Sequence, residues 1–133
     1  MVRLSRLVIG FLSFLLILGC MQSKTTEVKV VSPDEMEAIL NLEEVQLVDV
    51  RTSDEFAVES IPGSQNIDFE SPTFEEDIDK LDKTKPVLLY CNAGKQSAKC
   101  AKKLLDAGFI KIYDLEGGIT KWKYKGGHIK QRS

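Results

Sequence analysis

Pro86-Val87-Leu88-Leu89-Tyr90-Cys91-Asn92-Ala93-Gly94-Lys95-Gln96-Ser97 is the stretch on which the reading of the whole chain turns. An apolar strand pattern stops at a cysteine, a short loop containing glycine follows, and helical periodicity then runs from Ser97 to Ala107, closed by Gly108. A strand this apolar suits the middle of a parallel sheet, buried on both faces. In sheets of that kind ligands bind beyond the carboxyl ends of the strands, which is where Cys91 falls.

Working outward, the same alternation repeats. Val28–Val31 reads as a short strand, and Ser32-Pro33-Asp34-Glu35 supplies an N-cap, a proline at the first helical position and a glutamate at the third. The helix that follows places Met36, Ile39 and Leu40 on one face. Val45–Val50 is a second buried strand, and Ser53 is expected to cap a short helix over SDEFAVE, which ends before the turn signal Ile61-Pro62-Gly63. Gln65–Ile67 suggests a brief strand, Phe74, Ile78 and Leu81 an amphipathic helix, Phe109–Tyr113 a further strand, and Gly118–Trp122 the start of a last helix. Strand and helix alternate throughout. That order predicts an α/β domain, three layers deep, with a mostly parallel central sheet flanked by helices on both faces and joined by right-handed crossovers.

The loop after Cys91 carries the chemistry. A strand, the residues Asn92, Ala93, Gly94, Lys95 and Gln96, and then a helix would curl backbone N–H groups from Asn92 to Gln96 around the sulfur. Such nests and helix N-termini favour negative charge, and Lys95 adds a cation beside them. A thiol so placed is favoured as the thiolate, the nucleophilic form, in a pocket that also suits a small anion. The alternative is a buried structural cysteine, a common fate for this residue type.

The 133 residues allow one domain, and 43% hydrophobic with 29% charged residues is an ordinary globular balance. The N-terminus stands apart. Arg3 and Arg6 precede the apolar run Leu7–Gly19, too short to span a bilayer and of the length of a signal-peptide core. The run ends Leu18-Gly19-Cys20, which resembles the lipobox of bacterial lipoproteins and implies acylation of Cys20, a lipid anchor on the membrane and a place in the cell envelope, facing the periplasm in a Gram-negative cell. An ordinary signal cut nearby or an uncleaved anchor are the other readings. Residues 1–19 are thus expected as a cleaved signal, 20–27 as a polar tether, 28–125 as the domain and 126–133 as a basic, solvated tail. Loss of residues 1–19 removes Arg3 and Arg6 and no acidic residue, taking the net charge from −2 to −4. Nothing in that balance suggests nucleic acid.

Four motifs resemble those of single-domain rhodaneses, and in the same order: Leu47-Val48-Asp49-Val50-Arg51 with Asp54-Glu55-Phe56, Ile61-Pro62-Gly63-Ser64-Gln65-Asn66-Ile67, the Cys91 loop, and Leu115-Glu116-Gly117-Gly118-Ile119-Thr120-Lys121-Trp122. The loop is especially similar to that of the exported phage-shock protein E type. The resemblance implies a rhodanese-like fold and sulfur transfer from thiosulfate or a similar small anionic donor to cyanide or a thiol through a persulfide on Cys91. It implies no metal or organic cofactor. Asn92, Ala93, Gly94, Lys95, Gln96 and Ser97 would then form the substrate-binding loop. Two positions depart from many relatives: Ser60 stands where a histidine precedes Ile-Pro-Gly, and Gln96 is neutral where some carry a second cation.

Asp49, Arg51 and Glu55 are expected to support the site from beneath, with Arg51 pairing Glu55 four residues on. Cys100, among Ala98, Ala101 and Leu104, reads as core, or else as a resolving thiol. The cysteine spacing argues against a disulfide, because a helix beginning near Ser97 would point the two sulfurs to different sides of the loop. His128 is isolated in a basic segment with Lys121, Lys123, Lys125, Lys130 and Arg132, and reads as a solvated side chain rather than a metal ligand. Three rival functions follow from the same residues. A phosphatase would need an arginine at position 97 to clamp phosphoryl oxygens, and the residue is Ser97. A binding module without catalysis would present the loop to a partner. A thiol-redox protein would use Cys91 with Cys100 and show a disulfide.

Overall fold

The computed structural model describes residues 26–132. The signal, Cys20 and most of the tether expected from the sequence lie outside the described residues.

The inner strands form where the chain is buried along nearly their whole length, and two of the helices open on side-chain capping boxes. In chain order the elements are β1 (Glu27–Val31), α1 (Pro33–Leu42), β2 (Gln46–Asp49), α2 (Ser53–Val58), β3 (Glu59–Ser60), β4 (Gln65–Asn66), α3 (Phe74–Ile78), β5 (Val87–Tyr90), α4 (Lys95–Asp106), β6 (Lys111–Leu115), α5 (Gly118–Tyr124) and β7 (Lys130–Gln131). Ser32 caps α1 through the reciprocal box its sequence predicts, accepting from the Glu35 N–H while the Glu35 carboxylate accepts from the Ser32 N–H. The box opening α2 belongs to Thr52 and Glu55, one residue before the expected Ser53. Thr52 takes the cap because Glu55, three residues on, can return the bond.

Five strands make one parallel sheet in the order β1-β6-β5-β2-β4, so the strand leading to Cys91 lies at its centre. Successive side chains of β5 point to opposite faces. Val87, Leu89 and Cys91 join α3 and α4 in one core with Phe74, Ile78 and Leu104, while Leu88 and Tyr90 join α1 and α5 in another with Met36, Ile119 and Trp122. The architecture is the expected one: an α/β domain whose parallel sheet carries helices on both faces. β5 is accordingly buried at every position.

Several boundaries differ from the sequence reading. β6 lies two residues later than expected, and α3 ends at Ile78, leaving Leu81 buried in the segment beyond it. The segment expected as a solvated tail is tied to the domain: Lys130 and Gln131 pair antiparallel with Ser60 and Glu59, and the Trp122 indole N–H donates to the His128 carbonyl at 2.9 Å. Lys125, also expected in a free basic segment, holds Asp34 and Glu37 at 2.9 and 2.6 Å. Among the described residues no helix is long and apolar enough to cross a membrane.

Candidate active site

Gly94 sets the geometry of the loop. It adopts φ +100°, a left-handed conformation that costs glycine nothing, and turns the chain straight into α4. The helix therefore begins at Lys95, two residues before the expected Ser97. Ser97 does not cap; its hydroxyl donates back to the Gly94 carbonyl at 3.2 Å. The loop proper is short, and the Gly94 N–H points at the cysteine, 3.0 Å from Sγ. The Cys91 thiol in turn lies 3.4 Å from the Ser97 hydroxyl, to which it donates. Of the N–H groups expected around the sulfur, Gly94 alone bonds it. Those of Lys95 and Gln96 belong to the first turn of α4, where helix geometry leaves them without an intrahelical acceptor.

Cys91 is 2% exposed, at the floor of a shallow cavity of about 310 Å³ that Asn92, Ala93, Lys95 and Gln96 line together with Thr52 and Glu55. All six residues of the predicted loop thus gather at one place, with Gly94 and Ser97 behind the sulfur rather than in the cavity wall. A larger cavity, about 390 Å³, lies on the other side of the sheet between α1 and the segment after α5. Ile61 and Trp122 help to line it and no cysteine does, so its size says nothing about thiol chemistry.

Beneath the loop, Arg51 and Asp49 form a fully buried pair. The guanidinium donates to both Asp49 oxygens, the shortest contact being 2.7 Å, and continues to the Glu59 carbonyl at 2.6 Å and the Asn92 side-chain oxygen at 3.3 Å. Burial works against the Arg51 charge, but the Asp49 hydrogen bonds and charge outweigh it and raise its pKa. The expected Arg51–Glu55 pair is therefore replaced by Arg51–Asp49. Glu55 is occupied otherwise: the Asn92 amide donates to it at 2.7 Å, and that bond, with those from Thr52, lowers its pKa. Asn92 is thus held from both sides, by a cation on one atom and a carboxylate on the other.

Three contributors were not singled out in the sequence reading. Gly118, at φ +58°, lets α5 approach so closely that an added Cβ would lie 2.6 Å from the Asn92 carbonyl carbon. The Ile119 N–H then donates to the Cys91 carbonyl at 2.9 Å and the Thr120 N–H to that of Asn92 at 3.1 Å, fastening the loop to the start of α5. The Asn66 amide donates to the Asp49 and Arg51 carbonyls at 3.1 and 2.9 Å. The Tyr90 hydroxyl accepts from the Ile61 N–H at 3.1 Å and meets Ser64 at 2.9 Å, and burial raises its pKa well above the ordinary value. The doubled glycine Gly117-Gly118 was the one available signal, since paired glycines mark places where backbones touch.

Cys100 is a core residue, as its apolar neighbours led one to expect, but its direction relative to Cys91 differs from the expected one. Because α4 starts at Lys95, the helix is turned by about 200° from the expected phase. Cys100 then faces the same core as Cys91, not the opposite side. Both thiols are free. Burial pushes the Cys100 thiol up to about 12, with the Asp114 carboxylate adding to the effect. Asp114 is itself buried on β6, its Oδ1 without a hydrogen-bond partner among the described residues, and burial raises its pKa, opposed by the nearby Ser97 hydroxyl. Among the described residues no group of three or more His, Cys, Asp or Glu side chains could hold a metal ion.

Comparison with known proteins agrees with this arrangement. Residues 32–130 match the model of the rhodanese-like domain. The thiosulfate sulfurtransferase GlpE of Coxiella burnetii is 33% identical over 95 residues, covering 71% of this chain and 87% of that protein. The adenylyltransferase and sulfurtransferase UBA4 of Meyerozyma guilliermondii is 34% identical over 98 residues, 69% of this chain but only 23% of that much longer protein. A crystal structure of a rhodanese-related protein from Thermoplasma volcanium, 25% identical, superposes with a TM-score of 0.70 over 78% of this chain and 99% of that one. With the fold, the cysteine loop at the centre of the sheet and these matches in agreement, the chain belongs to the rhodanese-like domain family.

Proposed function

We propose that the domain is a sulfurtransferase that carries sulfane sulfur on Cys91. The observation that carries this reading is the Cys91 sulfur at the floor of a small, open cavity, facing the Gly94 N–H at the start of a twelve-residue helix. The Cys91 thiolate attacks the outer sulfur of thiosulfate; the S–S bond of the donor breaks, sulfite leaves with the electron pair, and a persulfide remains. Cyanide or a thiolate then attacks the outer sulfur of that persulfide, and the electron pair returns to Cys91. Splitting one transfer into two displacements is the logic of covalent catalysis.

The loop's residues fall into roles by position. The Gly94 N–H and the positive end of α4 stabilise charge on the sulfur. The Ser97 hydroxyl accepts a hydrogen bond from the Cys91 thiol in the resting state and can turn to donate one once the sulfur is charged. Lys95 at the cavity wall attracts the donor dianion and the leaving sulfite. Asn92, clamped by Arg51 and Glu55, keeps the wall in place, and no step calls for a cofactor. A phosphoryl clamp is missing from the loop, because position 97 holds buried Ser97 rather than arginine. The likeness to GlpE, whose name states thiosulfate sulfurtransfer, supports thiosulfate as donor.

Intact mass before and after thiosulfate tests the reading. A gain of one sulfur atom on the parent, absent from Cys91→Ala and reversed by cyanide with release of thiocyanate, is the expected result; no adduct on folded protein with a titratable Cys91 thiol would sink it. We also propose, on the sequence of residues 1–20 alone, that the protein is exported and anchored through acylated Cys20. Retention of Cys20→Ser in the membrane fraction to the same extent as the parent would overturn that second reading.

A further inference from the structure

The lysines of this surface are not alike. Lys29, Lys80, Lys83, Lys85, Lys103, Lys111, Lys121, Lys123 and Lys125 each hold a carboxylate. Lys95, Lys99 and Lys102 hold none among the described residues, and outside that helix only Lys130 and Arg132, near the end of the chain, are likewise without one. The three sit at i, i+4 and i+7 of α4, all exposed, so they form one stripe along the helix. The first turn of α4 contains no acidic residue to neutralise it. In a chain of net negative charge, unpaired positive charge is thus concentrated on the one helix that begins at the candidate nucleophile.

The length of the stripe exceeds what a small donor needs. Lys95 lines the Cys91 cavity, and for a small dianion bound there that one cation is within reach. From Lys95 to Lys102 the helix rises about 10 Å, several times the reach of thiosulfate. Lys99 and Lys102 lie beyond the reach of such a donor and are placed to meet a larger acidic ligand that also reaches Cys91. A bilayer of anionic lipid has the charge but offers no thiol to take sulfur. An acidic protein segment has both.

Resting on the reading of Cys91 as a sulfur carrier, we propose that Lys95, Lys99 and Lys102 form the docking face for an acidic protein segment that bears the acceptor thiol. The acceptor thiolate attacks the outer sulfur of the Cys91 persulfide; the new S–S bond forms on the acceptor, the old one breaks, and Cys91 leaves as thiolate. No oxidant or reductant enters. The stripe lowers the cost of bringing two anions together and aligns the acceptor with the cavity, an effect that depends on ionic strength.

Two synthetic peptides of equal length, each with one cysteine, one flanked by glutamates and one by lysines, serve as acceptors beside cyanide. They are tested on the parent and on the double variant Lys99→Glu/Lys102→Glu. With the parent at low salt, kcat/KM for the acidic peptide should exceed that for the basic one by about tenfold or more, and the advantage should collapse in 0.5 M NaCl. In the double variant the ratio of acidic-peptide to cyanide turnover should fall by a similar factor. Equal kcat/KM on both peptides, or an advantage that survives in the variant, overturns the proposal. Binding of an acidic peptide with serine in place of cysteine is followed separately by fluorescence anisotropy. Should thiosulfate leave no persulfide on the parent, sulfur transfer fails as a reading, while the peptide's salt-sensitive binding, lost in the variant, still upholds the face. Binding to vesicles rich in anionic lipid that depends on Lys99 and Lys102, without peptide binding, replaces the acidic segment with a bilayer.

Discussion

Cys91 and Cys100 lie nine residues apart, face the same core and are almost equally hidden, at 2% and 0% exposure. Their surroundings are opposite in kind. Cys91 meets an N–H donor at 3.0 Å and a hydroxyl at 3.4 Å, with a cavity in front of it. Cys100 meets Ala101, Leu104 and the field of a buried carboxylate, and its thiol is pushed up to about 12. Burial alone therefore does not decide what a thiol does. The donors aimed at the sulfur, and the open volume beside it, separate the candidate nucleophile from a packing group.

The sharpest way to break this contrast is to remove each thiol in turn. Cys91→Ala should abolish persulfide formation and lower thiosulfate–cyanide turnover by on the order of 10³-fold or more, while Cys100→Ala stays within about threefold of the parent. A comparable loss in both would mean that the two sulfurs act together. Iodoacetamide at neutral pH should correspondingly add one label, at Cys91, to the native protein.

The next largest effect lies under the loop. Asp49→Ala leaves the Arg51 guanidinium buried and unpaired, and urea unfolding should show a loss of about 3–5 kcal/mol. Arg51 also holds Asn92, so the surviving folded protein should show weakened turnover as well. Gly118→Ala tests the docking of the loop onto α5. The added Cβ meets the Asn92 backbone in a left-handed position, so a loss of about 2–3 kcal/mol is expected, with turnover falling more than in Cys100→Ala. Unchanged turnover in Gly118→Ala would show that Cys91 does not depend on that contact.

The smallest effect concerns the carboxylate beside Cys100. Because the Asp114 pKa is raised in the fold, the native state holds that proton more tightly than the unfolded chain. Stability should then fall as pH rises from the ordinary aspartate value to the folded one, and remain lower above it. Asp114→Asn should remove that slope and stabilise the protein at pH 7 by about 1 kcal/mol. A variant less stable than the parent at pH 7 would mean that the carboxylate is paired after all.

Much of this architecture was readable from local pattern. The apolar run before Cys91, the cap at Ser32 and the spacing of Phe74 and Ile78 each depend on residues a few positions apart, and each strand and helix they announce is present. The errors share one origin. The phase of α4 hung on whether Lys95 or Ser97 begins the helix, and two residues of difference moved Cys100 to the other side. The partner of Arg51 was sought four residues ahead on a helix, whereas Asp49 lies two residues back on the same strand end, where the buried guanidinium can reach both its oxygens.

By itself the sequence determined the alternation of strands and helices, the parallel sheet and the position of Cys91 at the end of its central strand, because periodicity and loop chemistry are local. Only the tertiary structure decided which donors face each sulfur, that α5 fastens the cysteine loop through Gly118, and that the last residues pair with β3. The last two join residues far apart in the chain, the first turns on the start of one helix, and a buried polar group takes whichever partner the packing brings within about 3 Å.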